Sequence, residues 1–589
     1  MSRKELPWIL LLGAFLLAWP TIDRKILLPL FPPKAPAPAA PAVSAPPVVS
    51  AAVPVPAEAA PEEAISGHPN PMIAAPSAET EETPARPEEW PVLTNDCVKM
   101  TFTTYGAALR SVQLLKYRES VDRTSPPVIL NFPDRPVLSY SGLPGLGASN
   151  DFTVQALENG RQLRFERHTA SGLWFVRTVT LDEAYRLSIR DEFRKDRGEN
   201  VSLPPHRLRL GILSGRPGET RVKGMEFLGL DTLSPGGEKV QYWGKQFAKF
   251  FSTDRGVRPP ESVDRTFPID GQRLDWVALK EKYFVLILTP EGGAESVSAT
   301  IRRTVTGQEI SDPGFKPSLT LASVEADVKY AGGWTSNPDD AVERVFTLYA
   351  GPKQYSELSR FAFHQVDLME FGMWAPIGKV LLRGLNAFHR LIPNYGIAII
   401  LLTCIIRLVF WPLTHKSGQN MKRMQELQPE IAKIKASIKD PKKQQQATMA
   451  LYKEHKVNPV SGCLPMLIQI PVFIALFVVL RSAIELRFAP FLWIKDLSEP
   501  ENLFHGAIPY LAGLNLLPLI MTAVQVWQQK LTPAAGDPAQ QKMMTWMPII
   551  MLVFFYSFAS GLVLYWTANQ SLMIVQLLLQ RRHAAHRPA

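Results

Sequence analysis

The sequence has little cysteine, no collagen-like glycine period and no nucleotide-binding loop. Three cysteines in 589 residues exclude a disulfide-stapled scaffold, because such scaffolds use cysteine at a much higher density. The absence of a Gly-X-Y period excludes collagen. A G-x-x-x-x-G-K-[ST] phosphate loop is also absent, which argues against an ATP-driven pump.

The apolar residues are distributed unevenly along the chain. The hydrophobic fraction of 46% is ordinary for a soluble protein, but long apolar runs are concentrated in the second half. A Pro/Ala-rich tract near the start hides them in the average. We therefore exclude a single soluble domain and predict a membrane protein with a substantial water-soluble part.

The first 91 residues combine an apolar segment with a Pro/Ala tract. Residues 6–22 are apolar and follow Arg3 and Lys4. Their end contains Trp19-Pro20-Thr21 rather than a small-residue cleavage site. We predict an uncleaved signal-anchor span over residues 1–25; a signal peptide cleaved later, in the Ala-rich tract, stays open. Pro and Ala make up 21 of the 30 residues 32–61, which predicts a disordered linker over 26–91.

Residues 92–350 show the two-residue period of β-strands. Tyr185, Leu187 and Ile189 alternate with polar residues, and segments 98–103, 173–181 and 276–288 are also strand-like. Turn residues separate them, so we predict an all-β sandwich. His168 and His206 are isolated, and no catalytic cluster is evident in this region.

A helix is predicted between the sandwich and the membrane part, over residues 351–375. Its place just before a span favours an amphipathic helix in the membrane interface, and a helix in a domain core is the alternative. The apolar face would consist of Tyr355, Leu358, Phe361, Leu368 and Phe371.

The remaining apolar runs predict five further spans, at 395–413, 464–480, 505–527, 544–559 and 561–579. The last two form one run that would be about 54 Å long as a helix, too long for a single crossing of ~30 Å. Ala559-Ser560-Gly561 interrupts it. Two short spans joined by a tight turn fit this length, and short spans require local bilayer thinning or protein neighbours.

The charge between spans sets the orientation. Residues 416–456 carry ten basic and four acidic side chains, which places this loop in the cytoplasm. Six spans, with both termini inside and the sandwich outside, then satisfy the positive-inside rule.

Apolar residues recur at spacings of three and four from Met421 to Ile438, so we predict a helical hairpin over 417–456. Its charge favours contact with anionic lipid, with nucleic acid as the alternative.

Arg407 is the only Lys, Arg, Asp or Glu residue well inside a predicted span. Burying such a charge costs roughly 2.5–3.5 kcal/mol on insertion scales, which makes it a candidate functional residue. We predict a water-filled cavity open to the cytoplasm; snorkelling of Arg407 to the headgroups is the alternative. Helical spacing places Thr403 on the same side, and Gln469, Gln525 and Asn569 would add polar lining.

Several motifs resemble the signature of the YidC/Oxa/Alb membrane insertases. They appear in family order and spacing: Arg407 with Pro412-Leu413-Thr414, then Val457-Asn458-Pro459, Gly462-Cys463-Leu464-Pro465 and Ser560-Gly561-Leu562-Val563-Leu564-Tyr565. The resemblance is strong over residues 371–582. Two departures are Tyr565-Trp566, where many members have two tyrosines, and Ala559, where many have proline.

The resemblance implies a fold and a function. The fold is a multi-pass α-helical membrane protein of six spans, with a five-helix insertase core over 376–582, a cytoplasmic helical hairpin, a periplasmic all-β sandwich and a short basic tail at 583–589. The function is the insertion and folding of new inner-membrane proteins through an amphiphilic groove, alone or with the Sec translocon, without nucleotide hydrolysis. We expect no enzymatic activity, cofactor, metal or small-molecule substrate.

The resemblance also implies site residues and partners. The implied partners are nascent membrane proteins, Sec translocon components, the ribosome and signal-recognition machinery, and anionic lipids. The implied location is the bacterial inner membrane with cytoplasmic termini. The groove would be formed by Arg407, Thr403, Gln469, Gln525, Tyr565 and Trp566, and the hairpin contacts by Lys422, Arg423, Lys433, Lys435, Lys442 and Lys443.

Three other functions compete with insertion. A coupled transporter usually needs an intramembrane carboxylate, and the predicted spans contain none. An intramembrane serine protease would use Ser560, but the spans offer no histidine base, since His505 is at an outer edge and His583 lies beyond the last span. A scaffold for a larger translocase, without insertion activity of its own, stays open.

Overall fold

Short β-strands with alternating burial make up the first half of the described chain. The computed structural model describes residues 86–157, 160–195, 203–215, 228–234, 239–244, 261–268, 273–303, 321–332, 341–361, 363–438, 440–458, 464–504, 513–531 and 538–585. The predicted first span, most of the linker, residues 505–512 of a predicted span and the last four residues of the tail lie outside these ranges. The strands are β1 (Val92–Thr94), β2 (Val98–Thr103), β3 (Ala108–Arg118), β4 (Pro127–Asn131), β5 (Tyr140–Ser141), β6 (Thr153–Leu157), β7 (Gln162–His168), β8 (Leu173–Leu181), β9 (Arg186–Lys195), β10 (His206–Ser214), β11 (Gly229–Leu233), β12 (Gln241–Tyr242), β13 (Ser262–Pro268), β14 (Trp276–Lys280), β15 (Phe284–Pro290), β16 (Ser296–Arg303), β17 (Leu321–Tyr330) and β18 (Val342–Pro352).

The strands form three sheets that enclose an apolar core. β1 to β4 make a four-stranded sheet, β13-β16-β17-β10-β5 a five-stranded sheet, and β12-β11-β14-β15-β18-β9-β8-β7-β6 a nine-stranded sheet. β10 and β17 pack on β14 across the sandwich. Alternate residues of β8 point inward, so Phe175 pairs with Phe193 and Val179 with Ile189 in register with β9. The predicted β-sandwich is therefore confirmed.

A buried ion pair crosses this core. Arg177 and Asp191 are fully buried, with Nε 2.7 Å from Oδ1. The Tyr140 hydroxyl donates to the same carboxylate at 2.7 Å, and Arg177 Nη1 donates to the carbonyl oxygens of Ala107 and Leu138 at 2.9 and 2.6 Å. Burial of these charges is tolerated because nearly every polar atom of the pair has a partner.

One detail of the predicted strands differs from the structure. The segment 276–288 is a hairpin of β14 and β15 rather than one strand, with a turn at residues 281–283 where Glu281 N donates to Phe284 O at 2.9 Å. Both strands are buried throughout or nearly so, and this continuous burial gives no periodic signal for the turn. The strands predicted at 98–103 and 173–181 have the predicted bounds.

The single helix predicted over residues 351–375 is wrong. The chain instead forms a four-residue helix, α1 (Tyr355–Leu358), and two 3₁₀ turns at Gln365–Met369 and Gly372–Trp374. Positive φ angles at Phe363, His364 and Glu370 prevent a continuous helix here. The amphipathic helix is the next element, from residue 375 onward.

Eight further helices follow in the described chain. They are α2 (Ala375–Leu391), α3 (Tyr395–Glu426), α4 (Gln428–Ser437), α5 (Pro441–Glu454), α6 (Leu464–Ser482), α7 (Leu516–Leu531), α8 (Pro538–Phe555) and α9 (Ser560–Ala585). One buried side of α2, formed by Leu381, Leu382 and Leu385, packs where α2 meets α3 and α6.

Several helix bounds differ from the predicted spans. α3 continues through Pro412 to Glu426, so residues 417–426 belong to it and the hairpin proper consists of α4 and α5. The helix predicted from residue 505 begins at Leu516, where the Glu501 carboxylate accepts from Leu516 N and Leu517 N at 2.8 and 2.7 Å. Such capping satisfies free N–H groups at a helix start. The turn between α8 and α9 occupies residues 556–559.

Candidate functional site

α3 brings Arg407 beside α9. The helix begins at Tyr395, where the Asn394 side chain accepts from Ile397 N at 3.1 Å, and the guanidinium lies three turns further on. Arg407 Nη2 donates to the backbone oxygen of Asn569 at 3.0 Å, and Nη1 contacts Met573 Sδ at 3.4 Å. No carboxylate pairs with this guanidinium among the described residues. The cation is therefore held by neutral groups only.

A small cavity surrounds the guanidinium. Its lining mixes apolar and polar side chains from α3, α6 and α9, which are Ile406, Arg407, Phe410, Leu413, Thr414, Gln469 and Asn569. The structure thus brings two predicted site residues together, Arg407 and Gln469. Asn569, which the sequence offered only as additional polar lining, also lines this cavity.

The other predicted groove residues lie apart from this cavity lining. Thr403 is fully buried and donates to Ile399 O of its own helix at 2.6 Å, so it contributes no free polar group. Gln525 is buried in α7. Tyr565 is fully buried, and Gln469 Nε2 donates to its hydroxyl at 3.5 Å. Sequence spacing could not separate these cases, since it gives a side of a helix but not its neighbour.

Trp566 belongs to an aromatic seam between α6 and α8. Its ring centroid lies 5.1 Å from that of Phe473 and 5.4 Å from that of Phe555. Phe477 and Phe558 make a second contact at 5.5 Å, with the rings edge to face. The seam is apolar, whereas the cavity beside Arg407 also has polar side chains in its lining. The arrangement is therefore amphiphilic.

Among the predicted groove residues and the cavity lining, four polar side-chain atoms are buried without a partner in the described part of the chain. They are Arg407 Nε, Asn569 Oδ1, Gln525 Oε1 and Trp566 Nε1. Buried polar atoms are normally satisfied, and each unsatisfied one costs about 1–3 kcal/mol.

One loop ties together the ends of the helices opposite the basic hairpin. The described residues between α6 and α7, namely 483–504 and 513–515, are called the α6–α7 loop. Leu497 O accepts from Gly561 N at 2.8 Å, and Glu499 O accepts from Ser560 N and Oγ at 3.0 and 2.7 Å. Because these bonds cap the start of α9, the loop closes the helix bundle at this end.

The same loop contacts three other helices. Phe491 packs directly over Gly396 at the start of α3, and Asn394 Nδ2 donates to Pro490 O at 3.4 Å. The carboxylate of Glu501 caps α7, and Asn515 Nδ2 donates to Tyr556 O after α8 at 2.6 Å. Sequence reasoning missed this closure, because the buried Ser498 lies in a charged segment that the sequence predicts to be an exposed loop.

The helical hairpin at the opposite end presents its charge to solvent. A small apolar cluster joins α4 to α5 and consists of Met424, Leu427, Ile431, Tyr452 and Val457. The six basic side chains predicted to make contacts are all exposed, namely Lys422, Arg423, Lys433, Lys435, Lys442 and Lys443. Within the described ranges, no group of three His, Cys, Asp or Glu side chains is arranged to hold a metal ion.

Two family profiles match adjoining parts of the chain. The profile described as "YidC periplasmic domain" matches residues 92–383, and "60Kd inner membrane protein" matches residues 387–587. The membrane protein insertase YidC of Syntrophobacter fumaroxidans is 33% identical over 508 residues, covering 82% of this chain and 85% of that protein. The insertase YidC of Geobacter sulfurreducens is 34% identical, covering 81% and 83%.

A solved structure is also similar along the chain. It is described as an active YidC insertase with the first transmembrane domain resolved. It is 20% identical and has a TM-score of 0.34, with coverage of 84% of this chain and 93% of that one.

Proposed function

Because this chain belongs to the YidC family of inner-membrane proteins with a periplasmic domain, we propose that it inserts newly made proteins into the inner membrane and helps them fold. It would do so without a covalent reaction and without nucleotide hydrolysis, alone or together with the Sec translocon. The observation that carries this proposal is the Arg407 cation, which has no carboxylate partner among the described residues. It lies in a cavity lined by polar and apolar side chains, beside an apolar aromatic seam.

The proposed groove lowers two barriers to insertion. The guanidinium and its unsatisfied polar neighbours hydrate and attract the acidic outer tail of a substrate, so that tail avoids hydrocarbon. The apolar surface of α6 and α8 receives the transmembrane segment, which then moves into lipid. Ile549, Ile550, Val553 and Phe554 leave α8 with an exposed apolar face, as lipid contact requires.

The membrane topology is part of the proposal. Two described helices are long and apolar enough to cross a bilayer, Tyr395–Glu426 and Ser560–Gln580, with shorter apolar helices at Gln469–Ser482 and Thr545–Phe555. Six spans with both termini in the cytoplasm accommodate these helices together with the span predicted over residues 1–25, which lies outside the described residues. α7 has 16 residues and would be about 24 Å long, below the ~30 Å of a typical bilayer core. Short spans favour local thinning, which shortens the polar path.

The exposed basic hairpin accounts for the proposed cytoplasmic contacts. Its basic side chains are exposed to solvent, where anionic lipid headgroups and the phosphates of ribosomal RNA would attract them. The proposed partners are therefore anionic lipids, the ribosome and signal-recognition machinery on this side, with Sec translocon components in the membrane.

Vesicles that contain the purified full chain and no other protein test the proposal. A single-span substrate with an acidic N-terminal tail is added, and protection of the tail from protease reports insertion. We expect insertion well above that of empty vesicles. The variant R194A, which changes an exposed sandwich residue, is the matched control and should insert normally. Failure of the folded wild-type chain to insert any substrate would contradict an independent insertase and favour a scaffold.

A further inference from the structure

The β14–β15 turn of the sandwich contacts the α6–α7 loop. Lys282 Nζ forms an ion pair with the Glu499 carboxylate, and the two side chains are only 7% and 18% exposed. The neighbouring Tyr283 hydroxyl is 2.9 Å from Ser498 Oγ, and both residues are buried. Ser498 is held in turn by the Asp496 carboxylate, which accepts from its N and Oγ at 2.8 and 2.7 Å. The contact between the β14–β15 turn and the α6–α7 loop is therefore polar and largely shielded from solvent.

A second attachment lies at the start of the same loop. Arg487 Nη1 and Nη2 donate to the backbone oxygens of Arg118 and Glu119, at the end of β3, at 2.7 and 3.1 Å. The guanidinium also lies 5.7 Å from the Phe284 ring centroid. Two separate points of the sandwich thus hold two points of the loop.

Glu499 connects the sandwich directly to the closed end of the helix bundle. Its carboxylate pairs with Lys282, while its backbone oxygen accepts both hydrogen bonds from Ser560 at the start of α9. Two residues earlier, Leu497 O accepts from Gly561 N, and a Cβ on Gly561 would lie 2.9 Å from that oxygen. The loop and the start of α9 are in close contact at Gly561, so the loop cannot slide along α9 without breaking these hydrogen bonds.

We propose that the β14–β15 turn is a clamp that holds the α6–α7 loop against α3 and α9 and so keeps the groove closed to the periplasm. Lys282 and Tyr283 are then positioning residues for insertion, acting through Glu499 and Ser498. The clamp gives the sandwich a mechanical role in the same chain. Its meaning for insertion rests on the proposed groove, but the contact itself does not.

Hydrogen exchange measures the clamp without reference to a groove. In the full chain reconstituted in lipid nanodiscs, Lys282→Glu places two carboxylates together, and Tyr283→Phe removes one hydroxyl. We expect the amides of Ser560 and Gly561 to exchange about fivefold faster or more in Lys282→Glu, and less markedly faster in Tyr283→Phe. The exchanged pair Lys282→Glu/Glu499→Lys should return to within about twofold of wild type. Arg190→Glu changes an exposed sandwich ion pair and should have no effect.

Labelling then reports access to the groove. In a chain with Cys97, Cys404 and Cys463 replaced by serine, Asn569→Cys places a thiol in the Arg407 cavity. In sealed vesicles, a membrane-impermeant maleimide added on the periplasmic side should label it slowly, and about fivefold faster or more when Lys282→Glu is added.

The two readouts separate the clamp from the groove. Unchanged amide exchange in both Lys282→Glu and Tyr283→Phe would overturn the clamp, as would a charge exchange that leaves the fast rate in place. A thiol at position 569 that no reagent reaches from the cytoplasmic side would contradict the proposed groove, while the exchange result would still decide the clamp.

Discussion

Removal of the Arg407 charge should slow the insertion of acid-tailed substrates selectively. The guanidinium is half-buried, and its partners among the described residues are a backbone oxygen and a thioether. Its charge is therefore free to act on an incoming carboxylate. At a separation of 4 Å the attraction is about 1 kcal/mol in water and about 4 kcal/mol at an effective dielectric constant of 20. A partly hydrated cavity lies between these limits, which gives about 2 kcal/mol, or about thirtyfold in rate.

The assay compares two substrates that differ only in the tail. One carries two acidic residues outside the transmembrane segment, and the other carries their amides. With Arg407→Ala we expect the acidic substrate to insert about thirtyfold more slowly and the neutral one to change by about twofold or less. Arg407→Lys keeps the charge and should remain within about threefold of wild type.

Lys416 offers a matched control on the same helix. Lys416→Ala removes one positive charge nine residues nearer the cytoplasm and should leave both rates within about twofold of wild type. Equal slowing of the acidic and neutral substrates by Arg407→Ala would refute the electrostatic reasoning. Normal insertion of the acidic substrate by that variant would refute it as well.

Three further predictions concern the sandwich and the loop closure. Arg177→Met leaves Asp191 buried without its partner and should destabilise the protein by about 3–5 kcal/mol, measured by denaturant unfolding in detergent. Gly561→Ala places a methyl group 2.9 Å from Leu497 O and should lower the thermal unfolding midpoint and weaken the loop closure. Burial lowers the pKa of His206 from 6.5 to about 4, so the neutral ring is favoured in the folded protein. Its contribution to stability is complete above pH 6.5 and is lost as the pH falls, by about 2 kcal/mol between pH 7 and pH 5.

Each of these predictions has its own control. Arg177→Met/Asp191→Leu removes both charges and should recover part of the loss; a single variant as stable as wild type would contradict the buried pair. Unfolding midpoints that are equal for Gly561→Ala and wild type would show that the loop has room to move. His206→Asn should flatten the change in stability between pH 7 and pH 5, and an unaltered slope would assign it to other groups.

The membrane part shows how far local patterns reach. The structure has helices at the apolar runs that predicted α3, α6, α8 and α9, and an apolar run is a local feature of the sequence. That these helices cross a bilayer stays a prediction. The helix bounds differ from the predicted ones where tertiary contacts set them. α7 begins at Leu516 because Glu501 caps it. α3 continues past the end of the apolar run at residue 413 and into the charged segment as far as Glu426.

The segment between the sandwich and α2 shows the opposite case. Its apolar residues recur at helical spacing, yet the chain turns several times there. Leu358, Leu368 and Phe371 are all buried, and positive φ angles at Phe363 and His364 redirect the chain between them. Periodicity records which residues are apolar, but burial in three-dimensional packing decides the backbone path.

By itself, the sequence determined the two-part architecture, the β-sandwich and the family, and it singled out Arg407 as a candidate functional residue. Each depends on composition, on short-range periodicity or on the energetic cost of an isolated charge in an apolar run. Only the tertiary structure decided which groups meet that charge, since Asn569 and Met573 are more than 160 residues away along the chain. The same holds for the link from Lys282 to Glu499, a contact across 217 residues. Neither residue reveals the pairing in its local pattern, because long-range contacts arise from packing.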